Sequence, residues 1–148
     1  MAKPSIEDRL DIQDLFVRYV TSLDACDAAA VVGCFTEDCM LYSPVKGRYE
    51  GHAGIRRFAD DTVRMKTERG GQFRHVLANL RCDVEGEHAT ARCYLLDFLT
   101  IDGKTELLSP GEYECELVKV NGQWLFKSRI VHMDYIFKLP ELPSDTVV

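Results

Sequence analysis

The spacing of apolar residues along the chain divides it into a helical first half and a sheet-forming second half. Ser5 is a suitable N-cap for a first helix, in which apolar residues recur with helical period at Ile12, Phe16, Tyr19, Val20 and Leu23. Asp27 is a suitable N-cap for a second, short helix. The pattern then predicts a short strand over residues 39–43 and a third helix over residues 51–66.

After Gly70 the pattern becomes that of a β-sheet. Turn signals cut this segment into strands at about residues 73–84, 88–101, 105–119 and 123–137. The even spacing and tight turns predict an antiparallel meander, and strands of this length coil strongly. Helices followed by a meander give an α+β fold with a curved sheet around the helices. The concave space between them is the default ligand site.

Three polar residues stand in apolar rows of these strands. In the stretch FRHVLAN, strict alternation puts His75 and Asn79 in one row with Phe73 and Leu77, and Asp97 is the misfit in the row of residues 89–101. A buried polar group costs free energy unless it finds a partner. His75 taken alone is better explained as a core histidine with a satisfied hydrogen bond, so the identity of its partner decides its role.

Asp24 is the corresponding anomaly on the first helix. It lies at the helix end among apolar neighbours, where a carboxylate needs a hydrogen-bond donor, and His75 is a candidate. On pattern alone, a helix-end turn residue is an equally good interpretation of Asp24. On the last strand, alternation aligns His132 with Trp124 and Phe126, and a structural role for His132 is the favoured interpretation.

Composition narrows the range of partners. The 148 residues suffice for one domain, 1–148, with a Pro-rich and loosely held tail over residues 138–148. A net charge of −6 argues against nucleic acid and against an anionic membrane as partners. No apolar run is long enough for a membrane span or a signal peptide. The six cysteines form no CxxC pair, which favours reduced core residues in a cytoplasmic protein over disulfides or a zinc site.

Four segments resemble a known family: IQDLFVRYVTSLDACD, YEGHAGIRRF, FRHVLAN and NGQWLFKSR. Over residues 5–137 the chain resembles the SnoaL-like group of the nuclear-transport-factor-2-like superfamily. Within that group it is most similar to the branch of scytalone dehydratase, bile-acid 7α-dehydratase and hexachlorocyclohexane dehydrochlorinase. The resemblance implies a cone-shaped fold, with three N-terminal helices packed in the concavity of a strongly curved antiparallel sheet. It also implies a catalytic dyad of Asp24 and His75, with Tyr19 as a catalytic tyrosine.

A comparison with ketosteroid isomerase, from the same superfamily, separates two kinds of chemistry. The general-base aspartate of the isomerase lies on the first short strand, where this chain has Ser43 in the stretch MLYSPVKG. A serine cannot take that role unaided. The isomerase also lacks an acid at the position of Asp24. The sequence therefore departs from the isomerase and agrees with the dehydratase branch.

The expected function is a cofactor-independent elimination, of the dehydratase or dehydrohalogenase kind, on a hydrophobic cyclic or aromatic small molecule. His75 is the expected base, since an unperturbed imidazole titrates near pH 6.5, and Asp24 would hold its tautomer. The polar candidates for contact with the substrate are Tyr19, Tyr42, Asn79, Asp97 and His132. The apolar candidates for the pocket wall are Phe16, Phe35, Phe58, Val63, Leu95, Trp124 and Phe126. No nucleotide fingerprint, phosphate loop or metal cluster is present in the sequence, so no cofactor is expected.

Two other functions fit the same sequence. An isomerase or cyclase of a ketone or polyketide-like substrate would use the same base, and a non-catalytic ligand-binding module, such as the small subunit of a ring-hydroxylating oxygenase, would use none. Apolar residues on both faces of strand 73–84 indicate a homo-oligomer. Because relatives in the dehydratase branch are often trimers, a trimer is expected slightly ahead of a dimer.

Overall fold

Three helices and a seven-stranded sheet make up the fold, in a computed structural model that describes residues 3–108 and 110–135. The helices are α1 (Ile6–Asp24), α2 (Ala28–Val32) and α3 (Gly51–Arg69). The strands are β1 (Phe35–Ser43), β2 (Gly47–Glu50), β3 (Gln72–Glu85), β4 (His88–Ile101), β5 (Lys104–Leu107), β6 (Gly111–Val120) and β7 (Gln123–Met133). The tail predicted over residues 138–148 lies outside the described residues.

The first two helices begin where their capping residues predict. The Ser5 side chain accepts a hydrogen bond from the backbone N–H of Asp8 at 3.0 Å, and Asp27 accepts one from Ala30 at 3.0 Å. The third helix runs beyond the predicted residue 66 and ends where Gly70 adopts a left-handed conformation with φ of 64°. The prediction of three helices is therefore confirmed, although the second helix ends at Val32, before the predicted residue 35, and the third ends at Arg69.

The sheet has the strand order β2-β1-β7-β6-β4-β3, with β5 paired to β4. The antiparallel meander is confirmed for β3, β4, β6 and β7, whereas the parallel pairing of β1 with β7 was not predicted. The strand predicted over residues 105–119 is divided into β5 and β6. At the start of β6, Gly111 lies so close to the next strand that a Cβ atom would stand 2.3 Å from the His132 carbonyl oxygen.

The sheet is curved and unclosed, and its helices pack on the concave side, as the α+β cone prediction requires. The core lies between the apolar stripe of α1 and the inward rows of β1, β4, β6 and β7. Its largest fully buried side chains include Ile12, Leu15, Phe16, Tyr19, Phe35, Phe126 and Arg129. The six cysteines are unpaired, and four of them are buried. In the described part of the chain, every helix is too short or too polar to cross a bilayer.

A β-bulge in β3 corrects the predicted row of this strand. The pairing with β4 shifts register between Ala78 and Arg81, and Asn79 takes a left-handed conformation with φ of 57°. The inward row therefore passes from Leu77 to Leu80, and Asn79 is exposed. Strict alternation is wrong beyond Leu77 because the bulge inserts one extra residue.

A second irregularity, between β6 and β7, corrects the row of the last strand. Leu117 pairs with Phe126 while Glu116 pairs with Ser128, so one residue of β7 is extra. After Phe126 the inward positions are Arg129 and Val131, both buried. His132 consequently points to the outer face of the sheet, where it is exposed.

Candidate active site

A cavity opens on the concave face of the sheet, between the C-terminal part of α1, the β1–β2 turn and α3. Its polar wall consists of Tyr19, Ser43, Lys46, Thr62, His75, Asp97 and Tyr113. Its apolar wall consists of Leu23, Val45, Phe58, Phe73, Leu95, Val131 and Met133. Apolar side chains that enclose a set of converging polar groups are typical of a small-molecule site.

The size of the cavity limits what it can hold. Its empty volume is about 530 Å³ including the open mouth, which lies within the range of small-molecule sites.

His75 and Asp24 meet at one side of this cavity. Asp24, the last residue of α1, accepts the backbone N–H of His75 at 2.9 Å, which fixes the carboxylate against β3. Its other oxygen lies 2.5 Å from His75 Nδ1, and the two side chains are 9% exposed. An ionised carboxylate can only accept, so Nδ1 carries the proton and donates it. Nε2 is then the free nitrogen, available as a base.

Asp97 lies on the other side of the His75 ring, directly across from it on β4. Its Oδ2 is 3.5 Å from His75 Nε2, and its Oδ1 is buried without a hydrogen-bond partner. Burial raises the pKa of Asp97 to about 6, and the Asp24 charge adds to this shift, while His75 and Lys46 oppose it. A carboxyl group with this pKa exchanges protons near neutral pH.

Tyr19 reaches the cavity from the core stripe of α1. Its ring packs edge-on against Phe35 and Phe126, with centroids 5.6 Å apart in each case. The buried Arg129 guanidinium lies 3.8 Å from the Tyr19 ring centroid and 3.5 Å from that of Tyr113. Burial raises the pKa of Tyr19 to about 12, so its hydroxyl stays protonated and can donate a hydrogen bond.

Lys46 contributes a buried cation to the same wall. Its Nζ donates to Thr62 Oγ1 at 3.0 Å and lies 4.5 Å from the centroid of the Phe58 ring. Burial lowers the pKa of Lys46 to about 8, although Asp61 and Asp97 oppose the shift. The ammonium form therefore still predominates at pH 7.

Several residues predicted for the site do lie together around the cavity. Tyr19, His75, Asp97, Phe58 and Leu95 line it, and Asp24 stands directly behind the His75 ring. Ser43 also lines it, but its Oγ accepts the backbone N–H groups of Val45 and Lys46, both at 3.3 Å. The serine thus shapes the β1–β2 turn.

Five predicted substrate contacts lie elsewhere: three are on the outer face or exposed, and two, described below, belong to the core. Tyr42 alternates with the inward Leu41 and Ser43 on β1, so its side chain points to the outer face. The bulge in β3 exposes Asn79, and the shift in β7 exposes His132, whose Nε2 lies 2.9 Å from Glu114 Oε2. In each case the register of one strand, rather than residue chemistry, decides the side.

Phe16 and Trp124 are inward but belong to the core rather than to the cavity wall. Phe16 packs edge-on against Phe126 at 5.1 Å. The Trp124 indole N–H donates to Asp8 Oδ1 at 2.9 Å, near the start of α1. An inward row therefore supplies both core and site, and alternation does not distinguish them.

Three polar residues of the cavity were missed by sequence reasoning: Lys46, Thr62 and Tyr113. Tyr113 lies in the inward row of β6 with Cys115 and Leu117, where an aromatic residue fits the core as well as a site. Thr62 lies on the apolar side of α3, where a lone threonine is unremarkable. Lys46 lies in a turn, which has no periodicity to reveal which way a side chain points. Within residues 3–108 and 110–135, no cluster of three or more His, Cys, Asp and Glu side chains is arranged to hold a metal ion.

The family follows from comparison with known sequences. A family model described as the SnoaL-like domain matches residues 4–130. The chain belongs to this family. The resemblance inferred from the sequence is thereby confirmed at the family level. No curated protein matches the chain.

Solved structures agree on the fold. A variant of Rv3472 from Mycobacterium tuberculosis, a protein of unknown function, is 27% identical with a TM-score of 0.81, over 97% of this chain and 89% of that one. A proposed aromatic ring hydroxylase from Novosphingobium aromaticivorans is 29% identical with a TM-score of 0.78, over 90% and 94% of the two chains. A proposed scytalone dehydratase from the same organism is 20% identical with a TM-score of 0.77, over 93% and 97%. At that identity the last likeness bears on the fold alone.

Proposed function

We propose that this SnoaL-like protein is a cofactor-independent lyase that eliminates water or another leaving group from a hydrophobic cyclic or aromatic molecule. The observation that carries the proposal is the row of three side chains Asp24, His75 and Asp97 at one cavity wall, with contacts of 2.5 and 3.5 Å. A base with a fixed tautomer beside a carboxyl group of raised pKa supplies the two proton transfers that an elimination needs.

The steps balance without an external acid. His75 Nε2 takes a proton from the carbon next to a ring carbonyl, and the electrons of that C–H bond form an enolate. The enolate then forms a C=C bond as the C–O bond to the leaving hydroxyl breaks. Asp97 in its protonated form gives its proton to the hydroxyl, which leaves as water. The imidazolium returns a proton to Asp97 across the 3.5 Å separation, and Asp24 stabilises the imidazolium while it exists.

The test is to assay the wild type and a His75 variant on a panel of β-hydroxy cyclic ketones. The absorbance of the conjugated product is the readout. On a substrate that the wild type converts, His75→Ala is expected to lower kcat/KM by on the order of 10²–10⁴-fold. Tyr19→Phe is expected to lower it less, since one neutral hydrogen bond to the substrate is lost. His88→Ala, at an exposed histidine at the start of β4, is the control and should keep the wild-type rate. A fully active His75→Ala enzyme would refute the proposal.

Isomerisation is the second candidate, because Asp97 and His75 can carry a proton from one carbon of a bound ketone to another. The two reactions share the first step and differ in whether a leaving group departs. Product analysis by mass distinguishes them, since elimination of water lowers the mass of the molecule and isomerisation leaves it unchanged.

We further propose that the chain forms a closed homo-oligomer, trimer slightly ahead of dimer, through the outer face of the sheet. Val76 is 45% exposed and Tyr94 55% exposed on that face, and they lie on the neighbouring strands β3 and β4. Light scattering at micromolar concentration should report a mass above that of one chain, and Tyr94→Asp should lower it. A monomer would contradict the proposal.

A further inference from the structure

Lys46 is a buried cation in the cavity wall for which the proposed proton transfers have no use. The β1–β2 turn holds it there. Ser43 Oγ accepts the N–H groups of Val45 and Lys46, and Gly47, with φ of 93°, reverses the chain into β2. Tyr49 donates its hydroxyl to the Lys46 carbonyl oxygen at 3.1 Å, so the backbone on both sides of the lysine is fixed.

The ammonium group is only partly satisfied. It has three hydrogens to donate, and Thr62 Oγ1, at 3.0 Å, is its acceptor. Among the described residues no carboxylate lies within ion-pair distance of Nζ, although the fields of Asp61, Asp97 and Arg64 reach it. A buried ammonium without a paired anion is unfavourable. The remaining donors lie in a cavity wall, where a ligand can accept from them.

The surroundings of Lys46 restrict the ligand. The Phe58 ring lies 4.5 Å from Nζ, and the cavity continues past Phe73 to His75. A ligand that pairs with the ammonium and also contacts these aromatic rings carries a negatively charged oxygen on an apolar skeleton. His75 would generate such an oxygen when it removes a proton next to a ring carbonyl.

We infer that Lys46 binds the oxyanion of the substrate, and that the substrates are ring compounds with an oxygen on an sp² carbon, either ring ketones that pass through an enolate or phenols bound as phenolates. The inference rests on the proposed function in one respect, that His75 creates the enolate. It replaces Tyr42, which the sequence indicated for contact with the substrate oxygen, by a residue in the cavity. A charged donor aimed at the developing charge stabilises it more strongly than a neutral one.

The test measures binding without turnover. The full chain is titrated at pH 7 with an acidic nitrophenol that is ionised at that pH, followed by its visible absorbance, and with the corresponding nitroanisole, which has the same ring and cannot ionise. The wild type should bind the phenolate more tightly than the anisole. Lys46→Met should weaken phenolate binding by roughly 10- to 100-fold, the range of a hydrogen bond to a charged group, with little change for the anisole.

Lys104→Met, at an exposed lysine on β5, removes the same charge away from the cavity and should leave both affinities unchanged. Thr62→Val, which keeps the side-chain shape and removes the anchor of Nζ, should lower phenolate affinity by a smaller factor, and it serves if Lys46→Met fails to fold. The inference is overturned if Lys46→Met, or Thr62→Val in its place, binds phenolate as the wild type does, or if the wild type does not prefer phenolate. If only the elimination proposal fails, the expected preference for phenolate still stands, because the binding assay involves no removal of a proton from carbon.

Discussion

A carboxylate from another element lies near each end of the β6–β7 hairpin, Asp8 of α1 at the turn and Asp97 of β4 at the open end, and their surroundings are opposite. At the turn end, Asp8 accepts hydrogen bonds from Ser5 Oγ and Lys119 Nζ at 2.8 Å and from Trp124 Nε1 at 2.9 Å. These donors lower the pKa of Asp8. At the other end, Asp97 has a buried oxygen without a partner, and burial raises its pKa to about 6.

The difference separates a carboxylate that stabilises the fold from one that destabilises it. Asp8 joins the start of α1 to the sheet, and its charged form is favoured in the folded state. The charged form of Asp97 is disfavoured there, and so is the charged form of Lys46, whose pKa burial lowers to about 8. Two charges that are unfavourable in the folded state therefore lie at one cavity, and groups with perturbed pKa values in a cleft mark a candidate functional site.

The largest expected effect comes from Asp24→Asn, which tests whether the cavity end is built for proton transfer. The fixed backbone N–H of His75 requires an acceptor at 2.9 Å, so the amide oxygen of Asn faces it and the amide NH₂ faces Nδ1. Nδ1 must then be the acceptor, and the proton moves to Nε2, where a base needs a lone pair. Activity should fall by on the order of 10²–10⁴-fold.

The control for that loss is stability. Asn keeps the shape and most of the contacts of Asp24, so the melting temperature should change little while kcat/KM falls, and one-dimensional NMR of the ring N–H should report the altered tautomer. Equal activity in the Asp24→Asn and wild-type proteins would mean that the contact is structural.

Asp97→Asn should lower the activity but raise the stability at pH 7. The folded-state pKa of Asp97, about 6, exceeds the ordinary value of 3.8, so the folded protein holds this proton more tightly than the unfolded chain. The stabilisation that comes from protonated Asp97 is therefore fully present below about pH 4 and is lost as pH rises through 6. The loss is on the order of 3 kcal/mol at pH 7. Asn carries no charge, so the variant should be more stable than the wild type at pH 7, though less active.

The pH dependence identifies the cause of that gain. Denaturant unfolding at several pH values should show the stability difference between Asp97→Asn and wild type growing between pH 4 and 6 and staying constant above 7. Asp102→Asn, at an exposed turn residue with φ of 51°, removes the same charge and should show no such growth. An Asp97→Asn protein less stable than wild type at pH 7 would mean that its carboxylate has a partner in solution.

Most of the fold could be predicted because local chemistry agrees with it. Ser5 and Asp27 cap the helices that their positions indicate, and the predicted turns separate β3 from β4, β4 from β5 and β6 from β7. The parallel pairing of β1 with β7 could not be predicted, because it joins strands about 90 residues apart and no local signal encodes it. Each bulge had the same consequence for alternation, since one extra residue reverses the side of every later side chain.

The candidate site could be predicted where a polar residue interrupts an apolar row. His75, Asp97 and Asp24 were found in this way, and the distances among them are those of a connected set. Arg129 and Lys46 were missed for two different reasons. A bulge brought Arg129 inward, between the rings of Tyr19 and Tyr113, and the fixed turn brought Lys46 inward. Neither the bulge nor the turn produces a periodic pattern of residues that the sequence would reveal.

The smallest expected effect comes from Asp8→Asn, which tests the other half of the comparison. The pKa of Asp8 is lowered below the ordinary 3.8, so its contribution to stability is present above pH 4 and is lost as pH falls through the folded-state pKa. Asn can still accept from Trp124 Nε1 but loses the charge that attracts Lys119, so the free energy of unfolding at pH 7 should fall by about 1–2 kcal/mol.

Glu7→Gln is the matched control, because it removes a charge from the same first turn of α1 at an exposed position, and its effect should be smaller. Since Asp8 lies outside the cavity wall, kcat/KM of the folded Asp8→Asn protein should equal that of the wild type. A loss of activity without a loss of stability would show that Asp8 is coupled to the cavity, and the contrast between the two carboxylates would then fail.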